Sequence, residues 1–191
     1  QRAGRGNATY GAFAKGAGAG TVFERNVVLC EWKLRRSDSP NVGLSLGGGG
    51  TTPVVMRDEG KSGLEYSNGV IRDNLIDQGQ GSPTLGIFLE DNGGAGFSGV
   101  DIAGNTLIGG AAQGMRLENV AGRVLDNVLV QASGTVKQAP GIYALQGSKV
   151  EVRGNVSADV FGTFKLNPGN TTIPPGVQPE WVLEMARKRH A

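Results

Sequence analysis

Apolar residues in this chain alternate with polar or small ones at a period of two, the spacing that sends successive side chains to opposite faces of a strand. Two short phrases carry the alternation. One is apolar residues, polar or small residues, Asn, then apolar residues again. It occurs as Val22-Phe23-Glu24-Arg25-Asn26-Val27-Val28, Val70-Ile71-Arg72-Asp73-Asn74-Leu75-Ile76, Asp101-Ile102-Ala103-Gly104-Asn105-Thr106-Leu107 and Arg123-Val124-Leu125-Asp126-Asn127-Val128-Leu129, with a weaker copy at Glu151-Val152-Arg153-Gly154-Asn155-Val156-Ser157. The other is Gly-apolar-x-apolar, at Gly43-Leu44-Ser45-Leu46, Gly86-Ile87-Phe88-Leu89, Gly114-Met115-Arg116-Leu117 and Gly141-Ile142-Tyr143-Ala144. Gly11-Ala12-Phe13-Ala14 opens this series, and Gly162-Thr163-Phe164-Lys165 is a degraded last copy.

The phrases interleave, so each unit of roughly 22–30 residues supplies three short strands and cannot bury their inner face alone; stacked units can. The pattern therefore predicts an all-β fold, a right-handed parallel β-helix of about six coils, each rising ~4.8 Å. Stacking places Asn26, Asn74, Asn105, Asn127 and Asn155 above one another at one bend, where each carboxamide can bond the next. These asparagines are read as structural. Asn155 also begins a glycosylation sequon, for which a place in the stack makes it a poor acceptor; Asn7 and Asn170 begin looser ones. Residues 1–166 form the expected body. Residues 167–191 form a Pro-rich extension (Pro168, Pro174, Pro175, Pro179) and a helix over Gln178–Arg189, acidic at Glu180 and basic at Arg187-Lys188-Arg189, as the helix dipole favours. Trp181, Val182, Met185 and Ala186 give that helix an apolar stripe for packing. The first coil has no such cover, so a missing N-terminal segment or a second copy (a homo-oligomer) is expected against it.

Composition narrows the function classes. The 191 residues include 33 glycines, far above the average of ~7% and adverse to a helix bundle. Net charge is +2, without the broad basic face of a nucleic-acid binder. No apolar run reaches the ~18 residues of a membrane span. One cysteine, Cys30, excludes an internal disulfide, and the single histidine, His190, is penultimate. Histidine-based nucleophilic catalysis is rejected on that ground. The chain begins at Gln1 with no leader pattern, which reads as a processed chain or a fragment.

The Asn-x-Ile and Gly-Ile-x-Leu phrases resemble the coils of pectate-lyase-like right-handed β-helix proteins over roughly residues 10–166, and the stretch from Ala14 to Thr51 resembles secreted members of that superfamily. The resemblance implies a secreted or extracellular protein acting on an acidic polysaccharide by β-elimination. The competing class is a non-catalytic glycan-binding or structural β-helix, such as part of a phage tailspike or surface protein. In one lyase branch of this fold a lysine on one coil and an arginine on the next abstract the proton and neutralise the uronate. Lys15 matches the lysine. The matching outward positions on the next coil are Ser45 and Gly47, so the arginine would have to be Arg57, on the long turn, or Arg116, several coils away.

Spacing alone supplies the remaining candidates. The longest excursions, residues 31–42 and 47–69, leave the N-terminal coils, where a cleft is expected. Gly47–Gly50 lacks the Lys-Ser/Thr ending of a phosphate loop. The residue two beyond each phrase glycine points outward and forms one column: Phe13, Ser45, Phe88, Arg116, Tyr143 and Phe164. Phe13, Phe88 and Tyr143 could stack on sugar rings and Arg116 could fork onto a carboxylate, or all could pack beneath loops. Two positions further on, Glu90 and Glu118 fall on adjacent coils, followed by Asp91. They read as a Ca²⁺ site, a retaining glycosidase pair at ~5 Å, or solvated strand ends.

Overall fold

The computed structural model describes residues 9–14, 18–29, 41–47, 64–78, 84–91, 96–109, 113–131, 141–145, 147–157, 160–162, 170–172 and 180–190. Its strands wind through six coils. The first holds β1 (Thr9–Ala14), β2 (Gly18–Ala19), β3 (Val22–Glu24) and β4 (Val27–Leu29), and the second β5 (Asn41–Leu46), β6 (Tyr66–Ser67), β7 (Val70–Arg72) and β8 (Leu75–Asp77). The third holds β9 (Thr84–Leu89), β10 (Phe97–Ala103) and β11 (Thr106–Gly109), and the fourth β12 (Gln113–Glu118), β13 (Val120–Leu125) and β14 (Val128–Gln131). The fifth holds β15 (Gly141–Leu145), β16 (Lys149–Arg153) and β17 (Val156–Ser157); β18 (Val160–Gly162) and β19 (Thr171–Thr172) belong to the sixth, and helix α1 (Glu180–Arg189) follows.

Equivalent strands pair in parallel, coil on coil, into three sheets. The first runs β1-β5-β9-β12-β15-β18, the third β4-β8-β11-β14-β17-β19, and the second from β2 and β3 through β6 and β7 to β10, β13 and β16. This is an all-β parallel β-helix.

The registers explain the phrases. Inward positions stack as Ala12, Leu44, Ile87, Met115 and Ile142 in the first sheet. Phe23, Ile71, Ile102, Val124 and Val152 line the second, and Val28, Ile76, Leu107 and Leu129 the third. From the second coil to the fifth these side chains are fully buried and form one core. The phrase glycine is a packing requirement. A Cβ on Gly43 would lie 2.6 Å from Ile76 Cγ2, and one on Gly86 would lie 2.4 Å from Leu107 Cδ2, so a side chain there would push the first sheet off the third.

The asparagine stack is a ladder. Asn26 Nδ2 donates to Asn74 Oδ1, Asn74 to Asn105, Asn105 to Asn127 and Asn127 to Asn155, each at 2.9 Å. Each Oδ1 also accepts the preceding asparagine's backbone N–H, and each Nδ2 from Asn74 onward also donates to a core-strand carbonyl one coil back, such as Ile71 O for Asn105. The buried carboxamides are thus saturated, as buried amides must be.

Two features depart from the repeat phrases. Asn155 Nδ2 donates to Asn170 Oδ1 at 3.0 Å, so the ladder has a sixth rung and the third sheet reaches Thr172, beyond the stretch where the phrases fade. The sixth strand of the first sheet is Val160–Gly162, with Phe161 rather than Phe164 opposite Tyr143. Phe164 lies outside the described residues. Helix α1, described over Glu180–Arg189, packs on β14.

Candidate functional site

The outward column of the first sheet exists in register: Phe13, Ser45, Phe88, Arg116 and Tyr143 face one another on successive coils. It is not an open groove. Phe13 is 49% exposed, but Ser45 is 1% and Phe88 8% exposed. Phe88 belongs to a small outer core with Val42, Leu85 and Tyr10, and the Tyr10 and Phe13 rings meet edge to face at 5.2 Å. Phe88, expected as a substrate contact, is thus packed in this outer core with little of its ring exposed. Arg116 and Tyr143, both half-buried, are the accessible part of the column's C-terminal half.

Arg116 is already engaged. Its Nε and a terminal nitrogen reach Glu118 Oε1 at 2.8 and 2.6 Å, and its guanidinium lies 5.8 Å from the centre of the Phe88 ring. The Glu118 side chain is 7% exposed. Such a pair neutralises both partners, so Arg116 does not stand ready for a uronate and Glu118 does not stand ready for a cation.

Glu90 sits beside Glu118 in sequence register, since Leu89 pairs with Leu117. It is half-buried, and its charge, after burial, helps raise the Tyr10 phenol above its ordinary pKa. Asp91 has a different task. Its Oδ1 accepts from the Gly96 N–H at 3.2 Å and its Oδ2 from Asn119 Nδ2 at 2.9 Å. It thus ties the turn between the first and second sheets to the left-handed residue of the next coil, Asn119 at φ 53°. Among the described residues no group of three or more His, Cys, Asp and Glu side chains could hold a metal ion. Lys15 and Arg57, expected as catalytic, lie outside the described residues, as does Cys30.

The second sheet's outer face is a lattice of ion pairs, Glu24–Arg72 at 3.1 Å, Asp101–Arg123 at 2.8 Å and Glu151–Arg153 at 3.2 Å, and reads as a solvated wall. Its corner with the third sheet is different. The residue before each ladder asparagine is left-handed: Arg25, Asp73, Gly104, Asp126 and Gly154 have φ between 52° and 69°. The side chains of Arg25, Asp73 and Asp126 are exposed in one column along this corner, with the two glycines leaving gaps in it. Gly104 leaves room beneath Asp73, whose Oδ1 would lie 2.3 Å from a Cβ there.

A cleft of about 760 Å³ opens along this corner, lined by Arg25, Asp73, Gly104, Asp126 and, from the end of α1, Arg189 and His190. Burial holds the Arg189 pKa below its ordinary value against the opposing fields of Asp126 and Asp73. Burial, with the Arg189 charge, also lowers His190. The sequence reading set His190 aside as a terminal residue. The alternation Arg-Asn, Asp-Asn, Gly-Asn, Asp-Asn, Gly-Asn was visible in the phrases, whereas the return of the helix to that corner was not.

Among the described residues no helix is long and apolar enough to cross a membrane. No family model matches this chain, and no curated protein or solved structure matches it.

Proposed function

We propose that the chain is a non-catalytic, glycan-binding β-helix of the pectate-lyase-like kind, working outside the cell, and that the outer face of the first sheet is its contact surface. The carrying observation is that the accessible members of the first sheet's outward column, Phe13 at one end and Arg116 and Tyr143 at the other, stand in register, with the buried Ser45 and Phe88 supporting the sheet between them. Aromatic faces and a fixed guanidinium on a rigid sheet suit ring stacking and hydroxyl recognition. Binding is favoured over β-elimination because elimination needs a base and an uncommitted cation, and Arg116 is spent on Glu118. For an acidic polysaccharide, both those roles and any help from Ca²⁺ would fall to Lys15, Arg57 and Glu90.

The test incubates the purified protein, with calcium supplied, with alginate, pectate, chondroitin and neutral glucans. Ultraviolet absorbance of unsaturated uronates is followed alongside calorimetric binding. The expected result is saturable binding to at least one polymer, a flat absorbance trace, and affinity reduced about tenfold by Tyr143→Ala. Growing absorbance would replace this reading with a lyase, and no binding across the panel would end it.

A further inference from the structure

Charge on the outer face of the first sheet separates the sugars that suit it from those that do not. Along the described strands β1, β5, β9, β12, β15 and β18 and the residue that follows β9, the charged side chains are Arg116, Glu118 and Glu90. The guanidinium is already paired, since its Nε and one terminal nitrogen both reach Glu118 Oε1. Glu90, in register beside Glu118 on the preceding coil, leaves this face with an excess of negative charge. Its field extends to the first coil, where it adds to burial in raising the Tyr10 phenol. A uronate carboxylate laid here meets like charge, and no described strand of this sheet carries an uncommitted cation to offset it.

The same pair keeps hydrogen-bonding capacity at the surface. Both Arg116 contacts fall on Glu118 Oε1; Oε2 takes neither of them and is not among the buried oxygens left without a partner, so it reaches the surface. The Glu118 side chain is only 7% exposed and that of Arg116 36%, so the acceptor sits in a shallow recess beside its cation. Arg116 Nη1 takes no part in the pair and supplies donors next to that acceptor. Tyr143, half-buried, is the register partner of Arg116 on the next coil, about 4.8 Å along the stack. A donor, an acceptor and an aromatic side chain thus share one patch of a rigid sheet.

We infer that this patch selects neutral sugars, so that the glycan is a polymer of uncharged pyranoses with adjacent hydroxyls rather than a polyuronate; the inference rests on the glycan-binding reading above. Two neighbouring hydroxyls complement the patch. One donates to Glu118 Oε2 and the other accepts from Arg116 Nη1, while the sugar ring lies against Tyr143. Neither hydroxyl requires the ion pair to open. A uronate carboxylate, by contrast, takes the whole guanidinium fork only by displacing Glu118, which leaves that carboxylate buried and unpaired. Neutral recognition is the mode that keeps the packed sheet intact.

The test is calorimetric titration of the intact protein, at low and at high salt, with cellohexaose, laminarihexaose and mannohexaose and with galacturonate and mannuronate oligomers of the same length. Saturable binding of at least one neutral sugar is expected, constant within about twofold across the salt range and about tenfold or more tighter than either uronate. Glu118→Gln keeps one oxygen for Arg116 but removes the second acceptor and a negative charge. It should weaken the neutral sugar about tenfold and strengthen the uronates at low salt. Thermal unfolding checks that this variant is folded. Should it unfold, Glu90→Gln carries the test: it leaves the pair in place, so neutral binding should stay within about twofold while uronate binding at low salt improves. Tighter binding of a uronate than of every neutral sugar, undiminished neutral binding by folded Glu118→Gln, or uronate binding unimproved by Glu90→Gln would overturn the neutral assignment and leave the glycan-binding reading standing. Binding of no oligomer at all would remove both.

Discussion

Replacing Asn105 with alanine tests the ladder at its centre. The substitution removes four hydrogen bonds: Nδ2 to Asn127 Oδ1 and to Ile71 O, and those that Oδ1 accepts from the Asn74 N–H and Nδ2. Asn127 Oδ1 keeps the Asn105 backbone N–H. The Asn74 backbone N–H, one hydrogen of its Nδ2, and the Ile71 carbonyl lose these partners. Each buried group left unsatisfied costs about 1–3 kcal/mol, and a water entering the vacated space recovers part of that. The expected loss is about 3–5 kcal/mol, which lowers the urea midpoint by about 2 M at a slope of roughly 2 kcal/mol per M. Asn26→Ala is the comparison. It loses one bond at an exposed rung, and Asn74 Oδ1 keeps the Asn26 backbone N–H, so about 0.5–1 kcal/mol is expected. Urea unfolding by circular dichroism, with slopes checked for equality, measures both. If Asn105→Ala costs no more than Asn26→Ala, the carboxamides are not carrying the corner and the reasoning fails.

Arg116→Met strands the Glu118 carboxylate in a buried position and should destabilise the fold by roughly 2–4 kcal/mol, most of it restored by adding Glu118→Gln; a double-mutant cycle with no coupling would refute the pair. Gly122→Ala would place a Cβ 2.0 Å from the Val100 carbonyl oxygen, whereas Gly147→Ala meets nothing closer than 3.7 Å. The first should cost more than ~3 kcal/mol and the second only the ~1–2 kcal/mol of a left-handed alanine, read as denaturation midpoints. Because burial and Arg189 lower the His190 pKa in the folded state, protonation opposes helix docking. The docking contribution is therefore complete above the unfolded value of ~6.5 and is lost as pH falls below it. Fluorescence of Trp181, 46% exposed on α1, should titrate in that window and stop doing so in His190→Gln; an unchanged titration in the variant would refute the assignment.

Much of this architecture was written in the residues. A period of two fixes which side chains face inward, and recurrence of the phrases fixes how units stack. The core columns and five of the six ladder rungs thus followed without any knowledge of distant contacts. The Gly phrase was equally legible as a recurring mark, although only the approach of Ile76 and Leu107 reveals why glycine is required. Arg25, Asp73 and Asp126 could also have been placed at one corner, since each immediately precedes a ladder asparagine.

Other properties were settled by segments far apart in the chain. Alternation assigns Phe88 to the outer face, but its cover depends on what else packs there, and it is buried with Val42, Leu85 and Tyr10. Arg116 and Glu118 are two residues apart on one outward face, but that their charges meet, with the guanidinium beside the Phe88 ring of the preceding coil, is a feature of the packed sheet. The sixth coil slipped from the expected phrase because turn length varies freely, whereas strand pairing does not. His190, beyond the repeats, reaches the acidic corner because the C-terminal helix folds back along the third sheet. A linear pattern determines the face a side chain points to; accessibility and charge pairing are properties of the packed coil stack.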